Sequence, residues 1–306
     1  MKALKAAACT ILIIAGLALA LSPEVNSAIL DRENREIIAA VDEGVQAAED
    51  TEENTGVQDT GRHNIIEATD ALWESITAYN QNLYVNGQAE FRDAWSVTQT
   101  PSTVEGLDGN IFGYITIPAM DVELPLYVGA STANLAKGAA ILGATSLPVG
   151  GENTNSVIAG HRGYRGIPFF REIEKLGVGD AVCITNTWGT IGYRVESIDI
   201  ISPTDSDKIK IQEGKDMVTL MTCHPYRSNG KYRYVVYCVR DDSVLTEEAQ
   251  APSGTAGGYI TASDGTAYES SQQDIDMEKL FRRLCGAALV LFTVSRLLAG
   301  RRRKNR

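Results

Sequence analysis

Seven short runs of β-forming residues, separated by Gly, Pro, Asn and Asp, constrain the fold of this chain more than any other feature. The runs span 111–117, 124–128, 156–159, 180–184, 191–195, 217–222 and 234–239. Helical periodicity among them is limited to short stretches near 134–136 and 169–176. Many short strands without alternating helices predict a mostly-β domain, either a barrel or a sandwich.

Composition bounds the class of protein and its partners. The 306 residues are 44% hydrophobic, which suffices for one sizeable core plus appendages. The formal net charge of −11 argues against a nucleic-acid partner, because phosphate binding requires clustered Lys and Arg. Five cysteines exclude a complete set of internal disulfides. Cys183 and Cys238 lie in strand-like runs and are expected to be buried free thiols, with a disulfide between them as the alternative.

Both ends of the chain carry apolar segments typical of membrane attachment. Two lysines precede the run 6–21, which fits either a cleaved signal peptide or a retained anchor. The run 284–300 is followed by the basic cluster 301–306, which predicts a stop-transfer helix with a cytoplasmic terminus. A helix lying on the membrane surface is the alternative. A C-terminal span would place the middle of the chain outside the cell.

The rest of the chain divides by pattern and composition. Residues 28–48 and 64–83 have helical spacing of apolar residues, which predicts two packing helices. Residues 241–273 are rich in Ser, Gly, Thr and acidic residues, which predicts a flexible tether. The predicted regions are an N-terminal signal or anchor (1–25), a helical region (26–90), a short segment (91–108), the β-rich domain (109–241), a flexible linker (242–280) and a C-terminal membrane helix with a basic tail (281–306).

Cys223 has the surroundings of a reactive thiol. It ends the β-rich run 217–222, so the strand fixes the Cα atom while the following loop leaves the sulfur exposed. Arg233 lies ten residues later, at the start of the next apolar run. If the two strands are neighbours, the guanidinium lies close to the sulfur and can stabilise an oxyanion.

Three histidines compete for the role of acid–base partner. His63 lies in a polar stretch at the start of a helix and is expected at the surface. His224 adjoins Cys223, but consecutive residues of an extended chain point to opposite sides. His161 follows the strand 156–159 and precedes a glycine turn, which is typical of a site residue mounted at the end of a sheet. The pattern therefore favours His161.

These motifs resemble those of the sortases, the cysteine transpeptidases of the Gram-positive cell surface. The sequence Ala-Gly-His-Arg-Gly at 159–163 resembles the family's histidine motif, 219–223 its cysteine motif, and Arg233 its arginine. The likeness runs from about residue 91 to 239, and it implies the eight-stranded sortase barrel and no cofactor. It also implies that Cys223 attacks the threonine carbonyl of an LPxTG-like sorting signal, that His161 protonates the departing amine, and that Arg233 holds the oxyanion or the substrate backbone.

Three features favour class C, the pilus-assembling sortases: the C-terminal span, the long helical N-terminal region and the segment 92–96. Its sequence, Arg-Asp-Ala-Trp-Ser, resembles the class C lid, in which Trp95 would cover Cys223 and Asp93 would pair with the site arginine. An ordinary packing role for Trp95 is the alternative. The resemblance implies pilins or surface proteins with LPxTG-like signals as partners, a pilin lysine amine as acceptor, and attachment to the cell membrane.

One departure from class C concerns the arginine, which there commonly lies nine residues after the cysteine, where this chain has Tyr232. We interpret the extra residue as a loop insertion. A shifted register would instead place Tyr232 on the site face, and Arg227 is the fallback arginine. Three other functions stay open at this point: attachment of proteins to a peptidoglycan precursor, a surface adhesin or scaffold on an inactive sortase fold, and a hydrolytic thiol peptidase.

Overall fold

The computed structural model describes residues 25–46, 65–66, 68–89, 104, 107, 110–228, 230–246 and 258–304. The predicted lid residues Asp93 and Trp95, the histidine His63 and the apolar run 6–21 lie outside the described residues. The α-helices are α1 (25–46), α2 (Asp70–Val85), α3 (Thr132–Leu135) and α4 (Gln272–Lys304).

Eight strands form a closed barrel. The strands are β1 (Ile111–Ile117), β2 (Val122–Val128), β3 (Ala139–Ile141), β4 (Thr154–Ala159), β5 (Ala181–Asn186), β6 (Gly189–Ile201), β7 (Asp216–His224) and β8 (Tyr232–Arg240). Their order around the barrel is β1-β2-β3-β4-β7-β8-β6-β5, and pairing of β1 with β5 closes it. The predicted mostly-β barrel is confirmed. Each of the seven predicted runs overlaps a barrel strand, and β3 is the barrel strand that the pattern missed, because only three residues form it.

Alternation along the strands sorts side chains into two layers. Even-numbered residues in the middle of β7 and β8, such as Leu220 and Val236, are buried in the main core. Odd-numbered residues, such as Met221 and Val235, belong to a second apolar cluster on the other face of the sheet. Both faces of these strands are therefore covered, which fixes their register.

The N-terminal helices pack against the barrel, as predicted. Ile37 and Val41 of α1 are buried in the second cluster. Asn80 of α2 exchanges two hydrogen bonds of 2.9 Å with the backbone of Leu147. The helix α2 begins later than the pattern predicted, because Thr69 caps it and Ile66 instead donates to Ile111 O of β1 at 3.1 Å.

The structure differs from the predicted flexible linker 242–280. A two-stranded sheet of β9 (Tyr259–Thr261) and β10 (Ala267–Glu269) lies within it, and α4 begins at Gln272. Ile260 and Ala262 join the main core, and Ser263 donates two hydrogen bonds to the Asp199 carboxylate, at 2.8 and 2.5 Å. The polar composition hid these few buried residues. Residues 247–257 lie outside the described part of the chain.

Two further expectations concern the thiols and the membrane. Cys183 and Cys238 are free, so the alternative of a disulfide between them is not realised. The predicted span 284–300 falls within α4. Within the described residues, the structure contains no helix with the length and apolar character needed to cross a membrane.

Candidate active site

The parallel pairing of β4 with β7 brings His161 and Cys223 together. Ala159 of β4 lies opposite Met221 of β7, so two residues further along each strand the chain reaches His161 and Cys223. Two hydrogen bonds tie the strand ends: Gly160 N donates to Met221 O at 3.1 Å, and Thr222 Oγ1 donates to Gly160 O at 2.6 Å. The imidazole and the thiol therefore emerge side by side from the carboxyl ends of neighbouring strands.

The antiparallel pairing of β7 with β8 adds the arginine. Cys223 is the register partner of Arg233, so the two side chains share one face of the sheet. Tyr232 pairs with His224 on the opposite face, where its ring contacts Tyr268 at a centroid distance of 5.0 Å. The extra residue is thus accommodated in the loop, and the shifted register is not adopted.

The three predicted residues line a common space. A narrow cavity of about 10 Å³ is bounded by His161, Cys223 and Arg233, among others. His161 and Cys223 also line a groove of about 500 Å³ that faces solvent. Arg227, the fallback arginine, lines only this groove, and its exposed side chain pairs with Glu278 at 3.0 Å. The geometry therefore favours Arg233 as the site arginine, while the chemical roles of all three residues stay predictions.

Burial sets the charge state of the thiol and the imidazole. It raises the pKa of Cys223 above the ordinary value, and the nearby guanidinium groups of Arg233 and Arg162 lower it only in part. Burial also lowers the pKa of His161. Near pH 7 the resting pair is therefore a neutral thiol and a neutral imidazole, and the thiolate–imidazolium pair is a minor form.

The imidazole of His161 is held between aromatic rings. Tyr164 stacks on it at 4.7 Å between centroids, and Phe169 lies 6.3 Å away. The ring of Phe170 packs against Gly160, where a Cβ atom would approach that ring to 2.7 Å. Glycine precedes the histidine because no larger residue fits under Phe170.

Arg233 is buried although it carries a charge, with only 1% of its surface exposed. Its Nη1 donates to Gly230 O at 2.7 Å and to Tyr232 O at 3.0 Å, which aligns the guanidinium beside the sulfur. Gly230 has φ of +79°, and a Cβ atom there would lie 2.8 Å from Arg233 Nη1 and 3.2 Å from Cys223 Sγ. The loop backbone at Gly230 thus lies directly over the sulfur.

A second charged group lies behind the site. Arg162 and Glu174 form a buried ion pair through Nη2 and Oε1, and Arg162 Nη1 lies 3.4 Å from Cys223 O. His224 Nδ1 lies 3.4 Å from the same Glu174 oxygen, so this imidazole faces the ion pair. Burial raises the pKa of Glu174, but His224 and Arg162 more than offset this and leave it at about 2. His224 therefore belongs to the supporting network, as the alternation along β7 predicts.

Sequence reasoning missed Arg162, Glu174 and Gly230 as parts of the site. Arg162 lies inside the histidine motif, which is a usable signal. Gly230 lies in a turn-forming stretch whose proximity to the sulfur depends on the loop conformation. Glu174 lies in the short 3₁₀ turn Ile173–Lys175, where only tertiary packing creates its burial. No cluster of His, Cys, Asp or Glu within the described residues could hold a metal ion.

The match to known proteins agrees with this arrangement. The family model described as "Sortase domain" matches residues 115–241. The structure is similar to that of Clostridium perfringens sortase C with the C-terminal cell wall sorting motif, at 34% identity and a TM-score of 0.53, over 67% of this chain and 99% of that one. This chain belongs to the sortase family.

Two other relatives extend the comparison of this sortase. Sortase C1 of GBS pilus island 1 is 30% identical with a TM-score of 0.56, over 68% of this chain and 98% of that one. Sortase A of Bacillus anthracis is 29% identical over 168 residues, 53% of this chain and 77% of that protein. The solved structures from Clostridium perfringens and from GBS pilus island 1 are both of sortases of class C, so the chain is a sortase cysteine transpeptidase of class C type.

Proposed function

We propose that this sortase cleaves an LPxTG-like sorting signal through a thioacyl intermediate on Cys223 and joins the threonine to a pilin lysine amine. The observation that carries the proposal is the narrow cavity shared by Cys223, His161 and Arg233, next to the solvent-facing groove that Cys223 and His161 also line. The similarity to class C sortases supports it, one of which was solved with a cell wall sorting motif.

Acylation requires the minor charged form of the pair. The thiol proton passes to His161, and the Cys223 thiolate attacks the carbonyl carbon of the threonine. The guanidinium of Arg233 donates to the oxygen as it becomes negative, or to the adjacent substrate backbone. The threonine–glycine C–N bond then breaks, and the imidazolium gives its proton to the departing glycine amine.

Deacylation reverses these steps with a new amine. The pilin lysine enters as a neutral amine, attacks the thioester carbonyl and loses a proton to His161. The C–S bond breaks, an isopeptide bond forms, and the thiolate recovers its proton. If water takes the place of the amine, the product is a free acid, which distinguishes a hydrolytic peptidase from a transpeptidase.

The sequence supports membrane attachment with an extracellular catalytic domain. Helix α4 runs without a break from Gln272 to Lys304 and contains the apolar run 284–300. Glu278, which contacts the loop after Cys223, precedes this run by six residues, a rise of about 9 Å along the helix. A span at 284–300 would therefore hold the groove close to the outer membrane surface. Protease added to intact cells should then cleave the catalytic domain and spare the tail 301–306.

The segment 91–108 is proposed to act as a lid over the thiol. A ring over a sulfur is a favourable contact, worth about 0.3–1.5 kcal/mol. Replacing Trp95 with alanine should raise the rate at which a thiol reagent alkylates Cys223. An unchanged rate would remove the lid proposal without affecting the proposed chemistry.

The decisive experiment identifies products by mass spectrometry. The purified full chain is incubated with an LPxTG-like peptide and either a pilin-derived lysine peptide or a peptidoglycan-precursor amine. We expect a thioacyl adduct of the enzyme, an isopeptide product with the lysine peptide, and neither species with Cys223→Ala. Products that persist in Cys223→Ala would refute the assignment, and products with the precursor amine alone would change the acceptor.

A further inference from the structure

The C-terminal segment contacts the loop that follows the nucleophile. Residues 225–228 leave β7 directly after Cys223 and His224. Tyr226 N donates to Ser271 Oγ at 3.0 Å, and Tyr226 OH donates to Glu278 Oε2 at 2.9 Å. A single tyrosine is thus held through its backbone and its side chain by the start of α4.

Glu278 connects three side chains at the edge of the groove. Its Oε2 lies 3.0 Å from Arg227 Nη2, and its Oε1 lies 2.6 Å from Arg282 Nη2. Tyr226, Arg227 and Arg282 line the same groove as His161 and Cys223. The Glu278 carboxylate therefore binds three side chains that line one wall of the groove. One of them, Arg282, comes from α4.

The loop needs such a partner because its backbone is unusual. Arg227 has φ of +63°, a region that residues with a Cβ atom rarely occupy. Such conformations persist only when surrounding contacts determine them. Among the described residues, Ser271 and Glu278 bind this loop from outside the strands through hydrogen bonds and an ion pair.

A second attachment lies behind the site and fixes the segment to the barrel. Glu174 accepts from Ser270 Oγ at 2.6 Å and from Ser271 N at 2.8 Å. The same carboxylate pairs with Arg162, which reaches the Cys223 carbonyl. A further ion pair joins Glu172 Oε1 to Lys279 Nζ of α4, at 2.6 Å. The segment is anchored at both its start and its first helical turns, so it is a fixed part of the groove.

We propose that residues 270–282 form one wall of the substrate groove and that Glu278 is a positioning residue that holds the Tyr226–Arg227 loop in its binding conformation. The proposal rests on the proposed function of Cys223 as the nucleophile. The strands hold Cys223 and His161 in place, whereas Ser271 and Glu278 hold the Tyr226–Arg227 loop. Loss of the wall should therefore weaken substrate binding more than it impairs the thiol.

The test is a double-mutant cycle on the full chain in detergent, with Tyr226→Phe, Glu278→Ala and the double variant. We expect each single change to lower kcat/KM for an LPxTG-like peptide about tenfold, mainly through a higher KM. Alkylation of Cys223 by iodoacetamide should stay within about twofold of the parent rate. The double variant should lose no more than Glu278→Ala alone, because that change already removes the hydrogen bond from Tyr226.

Two matched controls separate this role from a general loss of stability. Tyr259→Phe removes an exposed hydroxyl from the small sheet, and Glu269→Ala removes an exposed carboxylate from β10, outside the proposed wall. Both should keep the parent KM. Glu278→Gln retains an acceptor for Tyr226 and should recover part of the loss.

Two outcomes would overturn the proposal. One is a KM unchanged within about twofold in both single variants, and the other is additive losses in the double variant. Tyr226→Phe removes only a hydroxyl, so its KM still measures the effect of the lost hydrogen bond even if Glu278→Ala unfolds the loop. Activity that survives Cys223→Ala would instead count against the proposed function, so the two failures are distinguishable.

Discussion

Replacing Gly230 with alanine tests how closely the loop backbone approaches the site. The glycine has φ of +79°, and the new methyl group would lie 2.8 Å from Arg233 Nη1 and 3.2 Å from Cys223 Sγ. The first distance is too short for any Cβ contact, so the guanidinium has to move. Arg233 has little room to do so, because it is 1% exposed and bonded to Gly230 O.

Two costs add in this variant. A residue with a Cβ atom in the left-handed region costs about 1–2 kcal/mol. Displacing Arg233 weakens a hydrogen bond from a charged group, which is worth about 1.5–3 kcal/mol. The free energy of unfolding should therefore fall by about 2.5–5 kcal/mol. Because loss of one oxyanion donor reduces kcat by about 10²–10³, we expect a displaced Arg233 to lower kcat/KM by about 10².

Gly214 provides the matched control. Its φ of +75° is nearly the same, but a Cβ atom there would meet nothing within 4 Å. Gly214→Ala should therefore carry the backbone cost alone, lose about 1–2 kcal/mol of stability and keep the parent kcat/KM. Chemical denaturation and peptide cleavage assays measure both variants. Equal kcat/KM in Gly230→Ala and Gly214→Ala would refute the argument that Gly230 is required by its proximity to the sulfur and Arg233.

Three further predictions concern charge. The pKa of Cys223 is raised and that of His161 lowered, so kcat/KM should follow a bell whose acidic limb lies below, and whose basic limb lies above, the ordinary values of the two groups; a single titration near pH 6.5 would contradict this. Arg233 lowers the pKa of Cys223, so Arg233→Met should move the pH midpoint of iodoacetamide alkylation upward; a downward shift would refute the sign. Glu174 has a folded pKa of about 2 against an ordinary 4.5, so its stabilisation is present above pH 4.5 and lost as the pH falls toward 2. Glu174→Gln should cost about 3–5 kcal/mol near pH 7, because it leaves the charge of Arg162 buried, and it should flatten the acid dependence of stability measured by denaturation.

The barrel strands could be predicted because their pattern is local. Short runs of β-forming residues bounded by Gly, Pro, Asn and Asp located the strands that lead to Cys223, His161 and Arg233. The short strand β3 carries too few residues for any pattern. The C-terminal segment has the composition of a linker, yet Ile260 and Ser263 dock it on the barrel. A few long-range contacts outweigh composition there, and no local signal reports them.

The supporting charges of the site were beyond sequence reasoning for a related physical reason. Glu174 receives its partners from three distant parts of the chain: Arg162, His224 and Ser270. Each partner has an ordinary local context, so the network exists only after folding. Buried networks of this kind have to be read from coordinates, whereas a nucleophile at a strand end can be recognised from its neighbours.

The position of the site arginine follows from strand register rather than from its distance along the chain. On β8 the residues Tyr234, Val236 and Cys238 fill the main core, while Val235 and Tyr237 pack in the second cluster. A slip by one residue would exchange these layers, mispack the core along the whole strand and turn the Arg233 side chain to the face opposite Cys223. The loop from β7 to β8 has no such restriction, so it can gain a residue and leave Cys223 opposite Arg233. A site arginine in a related chain should therefore be sought at the first strand residue that shares the outer layer with the cysteine, whatever the loop length.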